Sequence, residues 1–275
     1  MSEPIFPPIP LASWQSTRDT ITVYAQLLGK IRRALTPKQK HWWHISLRVI
    51  SVGITTTPIP AGHKTFQLIM DFTIHQLIIL TSHGERHQIP LQGQSAAAFC
   101  TEVLDALADL GIEPEIDRAL FANDTPGTYD ETAVSTFWQA LSQIDITLKT
   151  FKHSFREESS PVQLWPHHFD LAVVWFSGRL VPGQDPANEE YADEQMNFGF
   201  STGDSSIAEP YFYATAYPTP DAFANQPLPE DAYWHTEGFT AAVLPYQALV
   251  TANNPHEKLL KFLRAAHQAG SQFMK

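Results

Sequence analysis

The sequence predicts an α+β fold of two similar halves, residues 1–112 and 113–275, each a four-stranded antiparallel meander with flanking helices. Three observations predict it. Trp42-Trp43-His44-Ile45-Ser46-Leu47 returns as Trp165-Pro166-His167-His168-Phe169-Asp170-Leu171, each time after an amphipathic helix and at the start of an apolar strand. The helical stripe Ile21, Tyr24, Leu28, Ile31, Leu35 reappears 113 positions later as Val134, Phe137, Leu141, Ile144, Leu148. After each of these helices come stretches of period two and then a further helix, the pattern of half-buried strands followed by an amphipathic cover.

In the first half, residues 5–14 are Pro-rich and extended, a candidate short edge strand. Ser16 or Thr17 is the expected N-cap of a helix over about 17–35. Lys30, Arg32 and Arg33 fall in its last turns, where the helix dipole favours cations. Trp43, Ile45, Leu47 and Val49 alternate with His44, Ser46 and Arg48. Phe66, Leu68, Met70 and Phe72 alternate with Gln67, Ile69 and Asp71, which predicts two strands. Residues 74–81 and 86–91 complete the meander, joined through Ser82-His83-Gly84. Ser95 caps a helix to about Leu110, and Gly111 ends it.

The second half repeats this order. Residues 113–121 are a candidate short strand, and Asp130 caps a long helix to about 154. The next strand runs through Phe169, Leu171, Val173 and Trp175, and others follow near 195–200, 209–217 and 238–245. A closing helix over about 255–268 points Leu259, Leu260, Phe262 and Leu263 inward. The extra length lies in loops 181–193, 201–208 and 218–237, within a long acidic region over 180–237. Loops of that length are either functional or mobile. The β-α-β4-α order of each half resembles the fold shared by the TATA-binding protein and the helix-grip proteins, an analogy of fold that carries no function with it.

The 275 residues, 43% hydrophobic and 17% charged, describe a folded chain with enough length for sizeable cores. The opening residues have no basic region followed by an apolar stretch, so no signal peptide is expected. The longest apolar strand, Phe169 to Phe176, is too short to span a bilayer. The single cysteine, Cys100, excludes an internal disulfide and any zinc site built on several thiolates, and suits a cytoplasmic location. Residues 180–257 hold twelve acidic groups and no Lys or Arg, which is more than the whole net charge of −11. Such a stretch repels nucleic acid and anionic membranes. It is either a solvated surface or a cation-binding rim.

Gly-x-Gly-x-x-Gly, P-loop, His-Glu-x-x-His, Gly-x-Ser-x-Gly and Cys-x-x-Cys patterns are all missing, so no cofactor is evident and no standard hydrolase nucleophile is marked. What remains is a set of candidates. His44, His168 and Asp170 stand at the two repeated strand starts. If the halves pack about a pseudo-twofold axis, these three become candidate ligands for a divalent metal. The alternative is histidine at strand ends bonding to backbone.

Asp170 shares a strand face with Ala172, Val174 and Phe176. It is either a buried acid with a raised pKa, serving as a base or ligand anchor, or one arm of a structural pair, with Arg179 the nearest cation in sequence. Arg48 and Asp71 have the same two readings, a cross-strand ion pair foremost. Tyr211, Tyr213, Thr215 and Tyr217 share one face of their strand. In a helix-grip arrangement that is the ligand side, and tyrosine walls suit a small organic ligand. Tyrosine also simply favours strands. With Trp43, His44, Trp165, His168, Asp170 and Arg179, Tyr211, Tyr213 and Tyr217 make up the candidate ligand-binding set, and Trp234-His235 is either a lid over this face or an anchor for its loop.

Lys40-His41-Trp42-Trp43, Ser160-Pro161-Val162, Phe169-Asp170-Leu171-Ala172, Phe176-Ser177-Gly178-Arg179 and Tyr213-Ala214-Thr215-Ala216-Tyr217-Pro218 together resemble a bacterial domain-of-unknown-function family, number 5996. The resemblance runs over nearly the whole chain. It implies a soluble bacterial protein and supplies no catalytic residue. Three functional readings stand: a protein that binds a small organic ligand in an aromatic-lined cleft, a metal-assisted enzyme using His44, His168, Asp170 and Arg179, and an acidic protein-interaction module.

Overall fold

The computed structural model describes residues 4–188 and 190–274; the first three residues, part of the stretch read above for a signal peptide, lie outside them. The fold is α+β, with two antiparallel sheets of six strands each. The chain divides into two compact units. One holds Ala12–Trp138 and Leu164–Phe169; the other holds the residues up to Leu11, Gln139–Gln163 and the chain from Asp170 onward. No helix among the described residues is long and apolar enough to cross a membrane.

In the first unit, α1 (Gln15–Leu35) buries the expected stripe: Ile21, Tyr24, Leu28 and Ile31 are each at most 1% exposed. Its start differs from expectation. The helix opens after Trp14, whose ring packs on Phe137 with centroids 4.9 Å apart. Ser16 and Thr17 lie inside the first turn. The hydroxyls of Thr17 and Thr20 accept instead from the backbone N–H groups of Asp130 and Thr128, both at 3.1 Å. Residues 5–14 form no strand; a 3-10 turn occupies Leu11–Ser13.

The strand expected from Trp43 is a second correction. Lys40–Ile45 is a 3-10 segment in which His41 and Trp42 take φ values of 54° and 59°. Arg33 and Lys38 sit over the Trp42 ring at 5.2 and 5.4 Å, a cation–π clamp that holds the chain in a turn where alternation alone suggested extension. The strands are β1 (Arg48–Ile50), β2 (Gly53–Thr55), β3 (Ile59–Ala61), β4 (Lys64–Asp71), β5 (Gln76–Thr81) and β6 (Arg86–Pro90), in the order β1-β2-β4-β5-β6 with β3 on β4. Three-residue strands β2 and β3 are too short to show a period. α2 (Ala96–Asp109) starts at Ser95, whose hydroxyl accepts from Ala98 N–H at 3.1 Å, and ends before Gly111 at φ 69°. Residues 113–121 hold a 3-10 turn, Arg118–Phe121, rather than a strand. Asp117 caps that turn, and Pro114 with three acids offers little for a strand to bury. α3 (Glu131–Lys152) begins at Asp130, which accepts from Ala133 N–H at 3.0 Å as expected.

The second sheet holds β7 (Gln163–Trp165), β8 (Asp170–Leu180), β9 (Asp193–Ser201), β10 (Tyr211–Tyr217), β11 (Tyr233–His235) and β12 (Ala241–Pro245), ordered β11-β12-β10-β9-β8-β7. A short α4 (Gln247–Val250) precedes α5 (Pro255–Ser271), which Asn254 caps and Pro255 opens at its first position. One face of this sheet is apolar through its middle: Leu171, Val173 and Trp175 on β8, Met196, Phe198 and Phe200 on β9, Phe212, Ala214 and Ala216 on β10. α5 packs on it so closely that a Cβ on Gly270 would stand 2.4 Å from Met196 Cε. Phe151 of α3 meets Phe198 edge-on at 4.9 Å. The opposite face carries the tyrosines.

Candidate functional site

Register places the tyrosine face in detail. On β10, Tyr213 stands opposite Gly199 of β9, and Gly199 stands opposite Ala172 of β8. Neither neighbour has a side chain beyond Cβ, so the Tyr213 ring lies over Gly199 and its hydroxyl reaches the β8 carboxylate. It donates to Asp170 Oδ2 at 2.5 Å. Tyr211, two residues earlier on the same face, donates to Asp204 Oδ2 at 2.6 Å. Asp204 is held ready for this by its other oxygen, which accepts from the N–H groups of Ser206 and Ile207.

Burial pushes the Tyr213 phenol well above its ordinary pKa, and the Asp170 charge pushes it further. Tyr211 is raised for the same reasons, burial first and then Asp204. Both phenols therefore stay protonated and donate. Tyr217 lies further along the face, 5.4 Å from the Tyr191 ring. Asn197 and Thr215, paired across β9 and β10, and Gln195, paired with Tyr217, are half-buried on the same side.

Tyr211, Tyr213 and Tyr217 share one sheet face, as alternation on β10 suggests, and strand register adds Asp170 to it. Arg179 does not join them. It stands near the far end of β8 from Asp170, nine residues along and inside the stretch from Phe176 to Leu180 where the register shifts. It is half-exposed, with Nε 4.0 Å from Glu194. Asp204 and Gly199 were missed by sequence reasoning. Gly199 had a signal, a glycine inside an otherwise aromatic strand, which often marks close approach of another group.

Trp43, His44, Trp165 and His168 belong to the first unit, on the flank of α1. A Cβ on Gly29 of α1 would stand 2.7 Å from Pro166 Cγ and 3.4 Å from the Ile45 carbonyl, so both repeated segments rest on this glycine. His44 is buried; its Nδ1 accepts from Gln39 N–H at 3.2 Å and its ring stacks on Trp42. His168 is exposed beside His167, with ring centroids 4.3 Å apart. Among the described residues no three His, Cys, Asp or Glu side chains group as a metal set.

The expected Arg48–Asp71 pair does not form. Arg48 stands opposite Thr55, and Asp71 stands opposite Gly53 and closes a turn with Thr73 and Ile74. Trp234 and His235 lie in β11. Trp234 donates to the Gln226 carbonyl at 2.8 Å and packs on Phe223.

A family model matches residues 6–275, essentially the whole chain. The chain belongs to DUF5996, a family of unknown function. No curated protein and no solved structure matches it. Membership in DUF5996 therefore brings no residue roles, and the chemistry of the site rests on the geometry above.

Proposed function

We propose that this protein binds a small organic ligand on the tyrosine face of the second sheet, with Asp170 as its polar anchor. The Tyr213–Asp170 hydrogen bond across Gly199 carries this reading. A sheet that needed only stability would fill such a position with apolar side chains, as its other face does; a carboxylate held by a phenol costs desolvation and gains polarity at a fixed point. Half-buried Asn197, Thr215 and Tyr217 extend the same surface with further donors, acceptors and ring faces. Pairs of this kind concentrate at functional sites.

The test is a thermal-shift and ligand-observed NMR screen of small organic molecules, repeated on Asp170→Asn and Tyr213→Phe. A hit on the native chain that both variants lose, with their folds retained, supports the reading. A hit that both retain overturns it.

A second reading has one observation behind it. Leu180, Tyr191, Tyr233 and Phe239 are large, exposed and apolar, and all lie in the stretch of 180–257 that has no Lys or Arg. They favour an interaction surface for a basic partner, whose association would weaken as salt rises. The metal-assisted reading has no comparable support.

The similar halves fit an internal duplication, with its boundary near 112/113 and the helix-grip-like order of elements. α1 and α3 carry the stripes 113 positions apart, and α2 and α5 come after the last strand of each sheet. The single buried Cys100 suits a reducing cytoplasm, and the acidic charge disfavours nucleic acid as a partner.

A further inference from the structure

The first unit contains a cleft of about 350 Å³ that sequence reasoning did not anticipate. One wall is the N-terminal half of α1, with Ser16, Asp19, Thr20 and Val23. The floor is Tyr24, Gln94 and Ala96, and the other wall is the loop from Asn123 to Thr128.

The cleft is built rather than left over. Its loop is tied on both sides. Gly127 N–H donates to the Gly93 carbonyl at 2.9 Å, and Ala97 N–H donates to the Asn123 carbonyl at 3.1 Å. Thr128 N–H donates to the Thr20 hydroxyl. Two glycines permit this approach. A Cβ on Gly127 would stand 2.5 Å from Thr20 Oγ1, and one on Gly93, at φ 86°, would stand 2.8 Å from the Gly127 carbonyl. The Tyr24 hydroxyl is fixed in turn, donating to the Gln94 carbonyl at 2.9 Å. A loop pinned this firmly, to Thr20 of α1 at one end and to Ala97 at the other, holds the shape of the cleft, and a preformed site loses little freedom when it is filled.

The lining selects the occupant. It contains no Lys, Arg or His, so nothing in it compensates an anion. Its one charge, Asp19, is already met by Arg18 Nε at 2.7 Å, which removes the main attraction for a cation. What remains is hydrogen-bonding and uncharged: the Ser16, Thr125 and Thr128 hydroxyls and the Asn123 amide, beside apolar patches from Val23, Ala96 and Pro126. Hydroxyls and an amide around a small apolar wall suit a molecule that is itself hydroxylated on its edges and apolar on its faces. The volume lies at the lower end of small-ligand pockets.

We propose that this cleft is a binding site for an uncharged polyhydroxylated molecule of monosaccharide size. The proposal is independent of the tyrosine face.

The experiment is saturation-transfer NMR on the full chain with neutral hexoses and a cyclitol, against a sugar phosphate and an amino sugar of the same size. Two variants accompany it: Ala96→Trp, which fills the floor, and Asn123→Ala, which removes an exposed loop amide. Circular dichroism and melting confirm that each folds.

The expected result is transfer to at least one neutral compound, with affinity lowered by about tenfold or more in a folded variant. The phosphate and amine analogues should bind at least about tenfold more weakly than the neutral compound. The proposal fails if no neutral compound gives transfer, if the charged analogues bind as well or better, or if binding is unchanged in both variants. Should Ala96→Trp not fold, Asn123→Ala alone decides.

Discussion

Gly199 lies directly beneath the Tyr213 ring: a methyl group there would stand 2.5 Å from the phenol oxygen. The glycine is what lets a tyrosine on β10 hold a carboxylate on β8, two strands away.

Gly199→Ala should therefore displace the phenol from Asp170 and destabilise the fold by about 1–3 kcal/mol, the usual cost of overpacking. The penalty comes from one side chain, so it should largely vanish in a Tyr213→Ala background. Urea denaturation of the two single variants and the double variant measures the coupling. A coupling of about 1 kcal/mol or more is expected, and simple additivity of the two changes would refute the contact.

Gly29 makes an opposite prediction to the ordinary rule. Inside an exposed helix, Gly→Ala gains about 1 kcal/mol. Here the new Cβ meets Pro166 Cγ at 2.7 Å, in a proline ring with little freedom to move. Gly29→Ala should lower the denaturation midpoint, and a raised midpoint would show that the Trp165–His168 segment yields easily.

Arg32 is 2% exposed and reaches from α1 to the turn before β1. Its Nη1 donates to the Ser46 carbonyl and its Nη2 to Thr57 Oγ1 at 2.8 Å. Burial, with Arg48 nearby, brings its pKa down to about 10, which still leaves it charged at neutral pH. Arg32→Met removes two bonds from a charged donor, about 1.5–3 kcal/mol each, but also relieves a buried charge. A net loss of about 2 kcal/mol is expected. Arg32→Lys should do no better, because one ammonium cannot replace a fork that spans two acceptors. Full retention of stability in the lysine variant, measured by urea denaturation, would show that charge and not geometry matters here.

The helices were readable because their stripes, caps and stops are local: Ser95, Gly111 and Asp130 each act within a few residues. β4 was readable because its alternation runs over most of eight residues, β5 and β8 because they are apolar runs, and β6 because the Ser82-His83-Gly84 turn joins it to β5. The Trp42–Trp43 segment misled because its conformation is set by Arg33 and Lys38, whose cation–π contacts no periodicity encodes. The tyrosine face was legible from alternation on β10, but its partners were not. Asp170 and Asp204 meet the tyrosines through strand register and loop return, both of which depend on how non-neighbouring segments pair. The cleft beside Tyr24 was invisible for the same reason. It is made by Gly93 and Gly127, whose value lies in touching each other.

His267 supplies a test by pH. On α5 its ring is surrounded by Phe151, Phe155, Trp175 and Phe198, the nearest being Trp175 at 4.8 Å. Burial among them holds its pKa below the ordinary value, although the Glu157 charge pulls the other way. The unfolded chain protonates this imidazole near pH 6.5, before the folded chain does. In that window the unfolded state binds more protons, so stability should fall as pH drops below about 6.5 and stay flat above it with respect to this group. Glu157 itself, held low mainly by the Trp175 N–H, acts in the same direction only below the ordinary carboxylate range. His167 is also pushed down, to about 4, by burial first and then by His168 and Lys30. The residue is exposed, so solvent screening makes its share the smaller one. Melting temperatures from pH 7.5 to 5, recorded for the native chain, His267→Met and His167→Gln, separate the two. The acid slope should flatten most in His267→Met. An unchanged slope in that variant would mean that the aromatic surround does not keep the imidazole neutral.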